Sequence, residues 1–204
     1  MSDERVFVSH ASGDGEVVDR LFRSVRNLPV DVHAAGEEVS AGRDRESLRG
    51  RIDESDVTVV VATGTGASDQ WVDQEVGYAV AKGVPVVPVA PDEDLLGGYL
   101  EGADAVALDA EAMDRSVFEL LSALRSLLAP LGGLDTPKWY VPFRCTDADC
   151  AAPVTLDVDR GQGGLWRLHE HGRTTHVDCG DCGARYHFDP GTLAFLRREE
   201  PAET

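Results

Sequence analysis

The sequence predicts an α/β fold with a five-stranded parallel sheet, followed by a small β-rich domain that contains four cysteines. Short β-branched runs alternate with helical patterns over about the first 130 residues, as in a parallel sheet covered by helices on both faces. One run, DVTVVVA at 56–62, is apolar enough for a strand buried on both faces. Glycine and proline interrupt 131–137, and the cysteines follow. We therefore expect domains at 1–132 and 133–198 and a disordered tail at 199–204.

The strands of the sheet are predicted at 5–9, 30–34, 56–62, 84–89 and 103–108. The fourth, VPVVPV, is predicted as a strand despite its two prolines. Five such strands suit the flavodoxin-like order 2-1-3-4-5, in which ligands bind beyond the carboxyl ends of the first and third strands. The segments 9–14 and 63–67 follow those ends and therefore form the predicted crevice.

Helices are predicted between these strands, at 14–27, 43–52, 68–82 and 115–128. The first has apolar residues at helical spacing, the second is short and polar, and the last is strongly apolar. Asp14 and Ser68 are the expected N-caps of the first and third helices. The Gly- and Glu-rich segment 35–42 is predicted as a loop.

The third helix places an acidic residue on its apolar stripe. Glu75 lies three residues after Val72 and four before Ala79, so it shares their face. A carboxylate there is costly unless it is paired or used. Helical side chains lean toward the N-terminus, which directs Glu75 to the loop 63–67 at the rim of the crevice. The spacing alone leaves open a second interpretation, a salt-bridged glutamate at the edge of the stripe.

Several motifs occur in a fixed order over about 130 residues. They are VFVSHASGD, VSAGRD, SDVTVVVAT, SDQWVDQEVGYA and VPVVPV. The set resembles a prokaryotic TIR (Toll/interleukin-1 receptor homology) domain. The most specific parts of the resemblance are F-V-S-H-x-S-x-D near the start and S-x-x-W-V-x-x-E in the third helix.

The resemblance implies an activity, the cleavage of the nicotinamide–ribose bond of NAD, with Glu75 as the catalytic residue. NAD is then a substrate, and the product is ADP-ribose or a cyclic relative. A carboxylate suits this reaction because loss of nicotinamide leaves an oxocarbenium-like ribose. The residues that the resemblance places along the crevice are Phe7, Ser9, His10, Ser12 and Trp71. Trp71 is expected mainly to pack.

The resemblance also implies self-association through the TIR domain and a role in signalling or in antiviral defence. The sequence leaves two other functions open. One is a non-catalytic adaptor that acts by TIR–TIR association. The other is an enzyme similar to nucleoside deoxyribosyltransferases, which also use a carboxylate at this kind of site. Incubation with NAD distinguishes the three.

The charge of the chain is strongly negative. Its 37 acidic and 19 basic residues give a net charge of −18, and its two lysines are Lys82 and Lys138. Such a surface repels nucleic acids and anionic membranes, so neither is an expected partner. The composition resembles that of proteins from salt-loving archaea; high-GC codon usage is the alternative. With no signal peptide and no apolar run of spanning length, we expect a cytoplasmic protein.

The four cysteines form two pairs, Cys145-x4-Cys150 and Cys179-x2-Cys182. Cysteines in the cytoplasm indicate metal or reduced thiols, and this spacing predicts a closed, structural zinc site. Gly183 follows the second pair and permits a tight turn. With short strands predicted at 155–159, 165–171 and 174–178, the segment resembles a zinc ribbon. Two disulfides or free thiols are the alternative, and the ribbon's protein or ligand partner is unknown.

Overall fold

A computed structural model of the chain describes residues 4–28, 30–34, 45–64, 69–128 and 139–201. The chain divides into two compact units. The N-terminal unit comprises Met1–Arg26 and Val30–Leu128, and the C-terminal unit comprises Asn27–Pro29 and Ala129–Thr204. None of the helices in the described ranges has the length and apolar character that crossing a bilayer requires.

The N-terminal unit contains one parallel sheet and the helices that connect its strands. The strands are β1 (Arg5–His10), β2 (Asp31–Ala34), β3 (Val57–Val61), β4 (Val86–Ala90) and β5 (Val106–Ala107). The helices are α1 (Gly15–Phe22), α2 (Arg45–Asp53), α3 (Gln70–Lys82) and α4 (Met113–Leu128). All strand pairs are parallel and the order is β2-β1-β3-β4-β5, which confirms the predicted fold class.

The centre of this sheet is apolar, as the sequence predicts. All five residues of β3 are buried, and its register against β1 pairs Ser9 with Val60 and His10 with Val61. Helix α3 packs against the sheet through two apolar clusters. Ala79 joins Phe7, Leu48 and Ile52, whereas Val72 and Val76 join residues of β3, β4 and the segment that follows β4. The face of α3 between these clusters therefore lies against β1.

The ends of two helices differ from the prediction. Helix α1 ends at Phe22, and a 3₁₀ turn, Val25–Asn27, covers the rest of the predicted segment. The N-cap of α3 is Asp69 rather than Ser68, because its carboxylate accepts a hydrogen bond from the Trp71 N–H at 2.8 Å. Aspartate and serine are both strong N-caps, so sequence alone separates adjacent candidates poorly. The predicted loop 35–42 lies outside the described residues.

The C-terminal unit consists of antiparallel strands and one helix. Its elements are β6 (Trp139–Arg144), β7 (Pro153–Val158), α5 (Gln162–Glu170), β8 (Thr175–Asp178), β9 (Arg185–Phe188) and β10 (Phe195–Glu199). Strands β6 and β7 form a hairpin, and β8, β9 and β10 form a sheet in the order β10-β9-β8. Strand β10 extends to Glu199, the first residue of the predicted tail, and 202–204 lie outside the described residues.

The strand predicted at 165–171 is wrong, because the segment lies almost entirely in helix α5. The segment contains no β-branched residue, so it has little preference for a strand. Its helix buries Leu165, and Trp166 donates from its indole nitrogen to Glu170, four residues later, at 2.9 Å. A pair at that spacing stabilises a helix and cannot form along a strand.

Candidate functional site

The carboxylate of Glu75 lies buried between α3 and the carboxyl end of β1. Only 8% of the residue is exposed. The hydroxyl of Ser9, which is fully buried near the end of β1, donates a hydrogen bond to Oε2 of Glu75 at 2.5 Å. The helical spacing that places Glu75 on the buried stripe is therefore correct, and the interpretation as a surface ion pair is wrong.

The environment of Glu75 opposes its negative charge. The pKa of Glu75 is raised from 4.5 to about 7, chiefly by burial; the hydrogen bond from Ser9 opposes this rise and the charge of Asp69 adds to it. No cation of the described residues forms an ion pair with this carboxylate. Glu75 is consequently present both as acid and as carboxylate near neutral pH.

A cavity of about 330 Å³ opens beside Glu75, between α2 and α3. Its volume lies at the lower end of the range for small-molecule sites. Aliphatic and aromatic side chains form most of its wall, and a few polar groups face it. The lining residues are Leu48, Arg49, Ile52, Trp71, Gln74, Glu75, Gly77, Tyr78 and Ala81. An apolar wall with a few polar groups is typical of a site that binds and orients an organic ligand.

The four cysteines of the C-terminal unit converge on one point. Their Sγ atoms all lie within 4.8 Å of one another. The contacts between Cys145 and Cys182 and between Cys150 and Cys179 are each 3.6 Å. This separation is too long for a disulfide bond and is close to the roughly 3.8 Å edge of a tetrahedron with Zn–S bonds of about 2.3 Å. The cysteines can therefore hold a metal ion.

The backbone around the cysteines forms two matching turns. Cys145 N donates to Ala152 O, and Cys179 N donates to Ala184 O, both at 2.8 Å. Gly183 closes the second turn with a φ of +76°, a conformation that favours glycine. The turn signal in the sequence is thus correct.

One cysteine also has a side-chain partner. The hydroxyl of Tyr186 donates to Cys145 Sγ at 3.0 Å, and this bond is the main reason that the pKa of Cys145 is lowered to about 7. Tyr186 is itself fixed in place, because its hydroxyl accepts a bond from the backbone N–H of Thr146 at 2.8 Å. The donors and their geometry fit a closed thiolate site.

A comparison with protein families decides what the N-terminal unit is. The family model described as TIR domain matches residues 6–121. The chain belongs to the TIR domain family. Among curated proteins, none matches this chain.

Solved structures include similar chains. The TIR domains of the activated Roq1 resistosome, which directly recognizes the pathogen effector XopQ, are 18% identical, with a TM-score of 0.48; the alignment covers 60% of this chain and 99% of that chain. A 2-desoxiribosyltransferase from Leishmania mexicana is 16% identical, with a TM-score of 0.38; the alignment covers 52% of this chain and 75% of that chain.

Within the TIR domain, the structure brings together three of the residues predicted for the site. Glu75 and Trp71 line the cavity, Trp71 with 39% of its surface exposed, and Ser9 contacts Glu75 directly. Phe7 is fully buried behind the cavity wall, in the cluster that contains Leu48. Trp71 therefore lines the cavity, whereas Phe7 packs behind the residues that line it.

The other two predicted residues lie at the end of β1 and in the turn that follows it, and they do not line the cavity. His10 is buried and its Nδ1 donates to the carbonyl of Ala11 at 2.8 Å, whereas Ser12 is exposed in a 3₁₀ turn. Asp14 occupies the predicted N-cap position of α1, but its carboxylate makes no capping hydrogen bond to the helix and instead accepts one from Thr63 Oγ1 at 2.6 Å. This bond ties the loop after β1 to the segment after β3, whose residues 65–67 lie outside the described ranges.

Several cavity residues were not predicted from the sequence. Gln74, Tyr78 and Ala81 lie three, seven and ten residues after Trp71, and this spacing places all four on one face of α3. The spacing could have identified them once Trp71 was assigned to the site. No sequence spacing predicts Arg49, because its position at the cavity depends on how α2 packs against α3.

Proposed function

We propose that this TIR domain cleaves the nicotinamide–ribose bond of NAD, with Glu75 as the catalytic residue. The observation that carries the proposal is a buried carboxylate, without an ion pair to any described cation, that faces a cavity of small-molecule size. A fold keeps such a group at a cost in stability, and strongly shifted carboxylates cluster at functional sites.

The chemistry requires one ionised carboxylate close to the anomeric carbon. When the C–N bond breaks, its electron pair goes to the nicotinamide nitrogen, so the leaving group departs neutral and the ribose becomes cationic. Ionised Glu75 stabilises this cation electrostatically in a site of low dielectric constant. Water then adds to the anomeric carbon and releases a proton, which gives ADP-ribose; attack by another group of the same product gives a cyclic form.

Ser9 acts as a positioning residue in this scheme. Its hydroxyl donates to Oε2 of Glu75, which fixes the carboxylate and favours the ionised form. Oε1 is then the oxygen that meets the ribose. Because Ser9 belongs to β1 and Glu75 to α3, the packing of the helix on the sheet sets the direction of the carboxylate.

The test measures free nicotinamide after purified protein is mixed with NAD, by chromatography. We expect release by the wild type and a loss of at least about 10²-fold in Glu75→Gln, which keeps the shape and removes the charge. Asp73→Asn, with the same charge change on the exposed face of α3, is the matched control and should keep full activity. Equal release by wild type and Glu75→Gln refutes the catalytic assignment. No release by any of them refutes the enzyme and leaves an adaptor.

We propose that the four cysteines hold one structural zinc ion. The mutual approach of the thiols, the two matching turns and the hydroxyl of Tyr186 support this assignment. Four thiolates leave no open coordination position, so the ion serves folding rather than catalysis. Metal analysis should find about one zinc per chain; a folded C-terminal unit without metal contradicts the proposal.

We also propose a salt-rich cytoplasm as the setting of this protein, and signalling or defence through NAD loss as its role. The N-terminal unit has 25 acidic and 11 basic residues, whereas the C-terminal unit has 12 and 8, so most of the excess charge belongs to the TIR domain. Self-repulsion of this size needs screening by ions. Transfer to millimolar salt should therefore unfold the TIR domain, and full stability there contradicts the salt-adapted setting.

A further inference from the structure

The cavity that contains Glu75 also has a positively charged wall. Arg49, on α2, is exposed and lines the same cavity. It supplies the only basic side chain among the nine lining residues, all of which lie in the described ranges. The cavity thus presents one negative and one positive group to a ligand.

The charge of Arg49 is not neutralised by a described acidic residue. Other cations of the TIR domain are held in ion pairs, such as Arg5 with Glu54 at 2.6 Å and Lys82 with Asp53 at 2.8 Å. Among described acidic residues, none forms an ion pair with Arg49; its described contact is with the ring of Tyr78, 5.8 Å from the guanidinium carbon. In a chain of net charge −18, this cation provides a local attraction for an anion.

Tyr78 is well placed to hold that guanidinium at the cavity. Its hydroxyl donates to both oxygens of Asp53, at 3.1 and 3.0 Å, which fixes the ring between α2 and α3. Lys82 lies over the ring at 5.2 Å but is already bonded to Asp53. An arginine held by an aromatic ring offers a planar set of donors that matches phosphate oxygens.

Glu75 lies on α3, and Arg49 of α2 meets α3 at the ring of Tyr78. Glu75 and Tyr78 are three residues apart, which is about 4.5 Å along the helix axis. A ribose 5-phosphate has its anomeric carbon and its phosphate at opposite ends of the sugar. A ribose 5-phosphate that lies along α3 can therefore place its anomeric carbon at Glu75 and its phosphate on the side of Tyr78 and Arg49.

We infer that Arg49 is the subsite for the phosphate-bearing part of the substrate, so that the cavity selects nucleotides over uncharged nucleosides. This inference rests on the proposed function for the identity of the reaction, because it places the scissile bond at Glu75. It adds a specificity-determining residue, which recognises the 5-phosphate group that NAD carries on this ribose.

The first experiment compares kcat and KM for NAD and for nicotinamide riboside, which has the same scissile bond and no phosphate. Arg49→Gln should raise KM for NAD about tenfold with kcat nearly unchanged, and should leave both constants for the riboside as they are. Arg49→Lys keeps the charge but loses the planar donors, so its KM for NAD should lie between those of the wild type and Arg49→Gln. Arg26→Gln, at an exposed arginine paired with Asp19, is the matched control and should match the wild type. An equal rise of KM for both substrates, or none for NAD, overturns the inference.

A second experiment does not depend on NAD cleavage. Calorimetry should show binding of ADP-ribose to the wild type, about tenfold weaker binding to Arg49→Gln, and equal binding of adenosine to both. If NAD is intact but ADP-ribose binding depends on Arg49, the proposed function fails and the subsite stands. If NAD is cleaved but Arg49→Gln binds ADP-ribose as tightly as the wild type, the subsite is refuted and the proposed function stands. Absence of both cleavage and binding overturns both.

Discussion

The two units hold their distinctive side chains in opposite ways. In the TIR domain, Glu75 accepts a hydrogen bond from Ser9, has no counter-charge among the described residues, and lies beside an open cavity. In the C-terminal unit, four thiols face one another, and backbone bonds close the turns that carry them. The first arrangement costs stability and leaves a group available to a ligand; the second satisfies its members and leaves nothing open. This difference marks Glu75 as a candidate catalytic group and the four cysteines as a candidate structural site.

The hydrophobic cores of the two units also differ in size. The TIR domain buries β1 and β3 almost completely. The C-terminal unit is smaller, and its aromatic cluster of Phe143, Tyr186 and Phe188 lies next to Cys145. A unit of this size has little core, so a metal ion bound by the four cysteines would contribute a large share of its stability.

The largest effect should come from Cys179→Ser. Structural zinc is worth about 10–16 kcal/mol in small metal-dependent folds, so loss of one ligand should release the ion and unfold the C-terminal unit. The TIR domain should keep its own cooperative unfolding transition. Zinc content and amide exchange in β9 and in β3 measure the two parts. Asp181→Asn, between Cys179 and Cys182 in the sequence, is the control and should retain zinc. Unfolding of both units together in Cys179→Ser would show that the TIR domain also depends on the metal.

The second effect concerns the cost of burying Glu75. Its folded pKa of about 7 lies above the unfolded value of 4.5, so the protonated form stabilises the fold, and this stability is lost as pH rises through 7. Glu75→Gln cannot ionise and should gain about 3 kcal/mol over the wild type between about pH 4 and pH 8. Amide exchange in β1 and β3 at several pH values measures this gain. A gain that does not change with pH would show that the carboxylate is not destabilised.

A third, smaller effect tests the support of the cysteine site. Tyr186→Phe removes the hydroxyl that donates to Cys145 Sγ and keeps the ring packing against Phe143. Zinc affinity should fall about tenfold, as is common for the loss of an outer partner of a metal ligand. Competition with a chelator measures it. Unchanged affinity would mean that the hydroxyl is merely satisfied by the sulfur.

The smallest effect should come from Ser9→Ala. The serine hydroxyl lowers the pKa of Glu75, so its removal should move the rise of NAD cleavage with pH to higher pH. Below neutral pH the rate should fall about fivefold, the equivalent of one hydrogen bond, and should recover as pH rises. Ser9→Thr keeps the hydroxyl and is the control. A loss of rate that is the same at every pH would indicate a structural role alone.

Local patterns in the sequence predict most of the fold and part of the candidate site. Alternation of strands and helices predicted the sheet and its order, and the positions of Val72 and Ala79 around Glu75 predicted the burial of the carboxylate. The spacing of the cysteines predicted their convergence. Each of these depends on periodicity or on a turn, which are properties of short segments.

Features that depend on packing between distant segments were missed. The cavity beside Glu75 lies between α2 and α3, and its lining includes none of the residues 9–14 and neither of the described residues 63 and 64. Arg49 belongs to the site only through the packing of those helices. Helix α5 was predicted as a strand because short apolar segments fit either period, and its Trp166–Glu170 pair was overlooked.

The proposed catalysis depends on the charge state of Glu75, and carbon-13 NMR of glutamate-labelled protein measures that charge state directly. The Glu75 carboxyl signal, assigned by its absence in Glu75→Gln, should titrate with a midpoint of about 7, and nicotinamide release should rise with the same midpoint. A midpoint at the ordinary glutamate value of 4.5 contradicts the account, because the carboxylate would then be compensated and its burial would carry no sign of function.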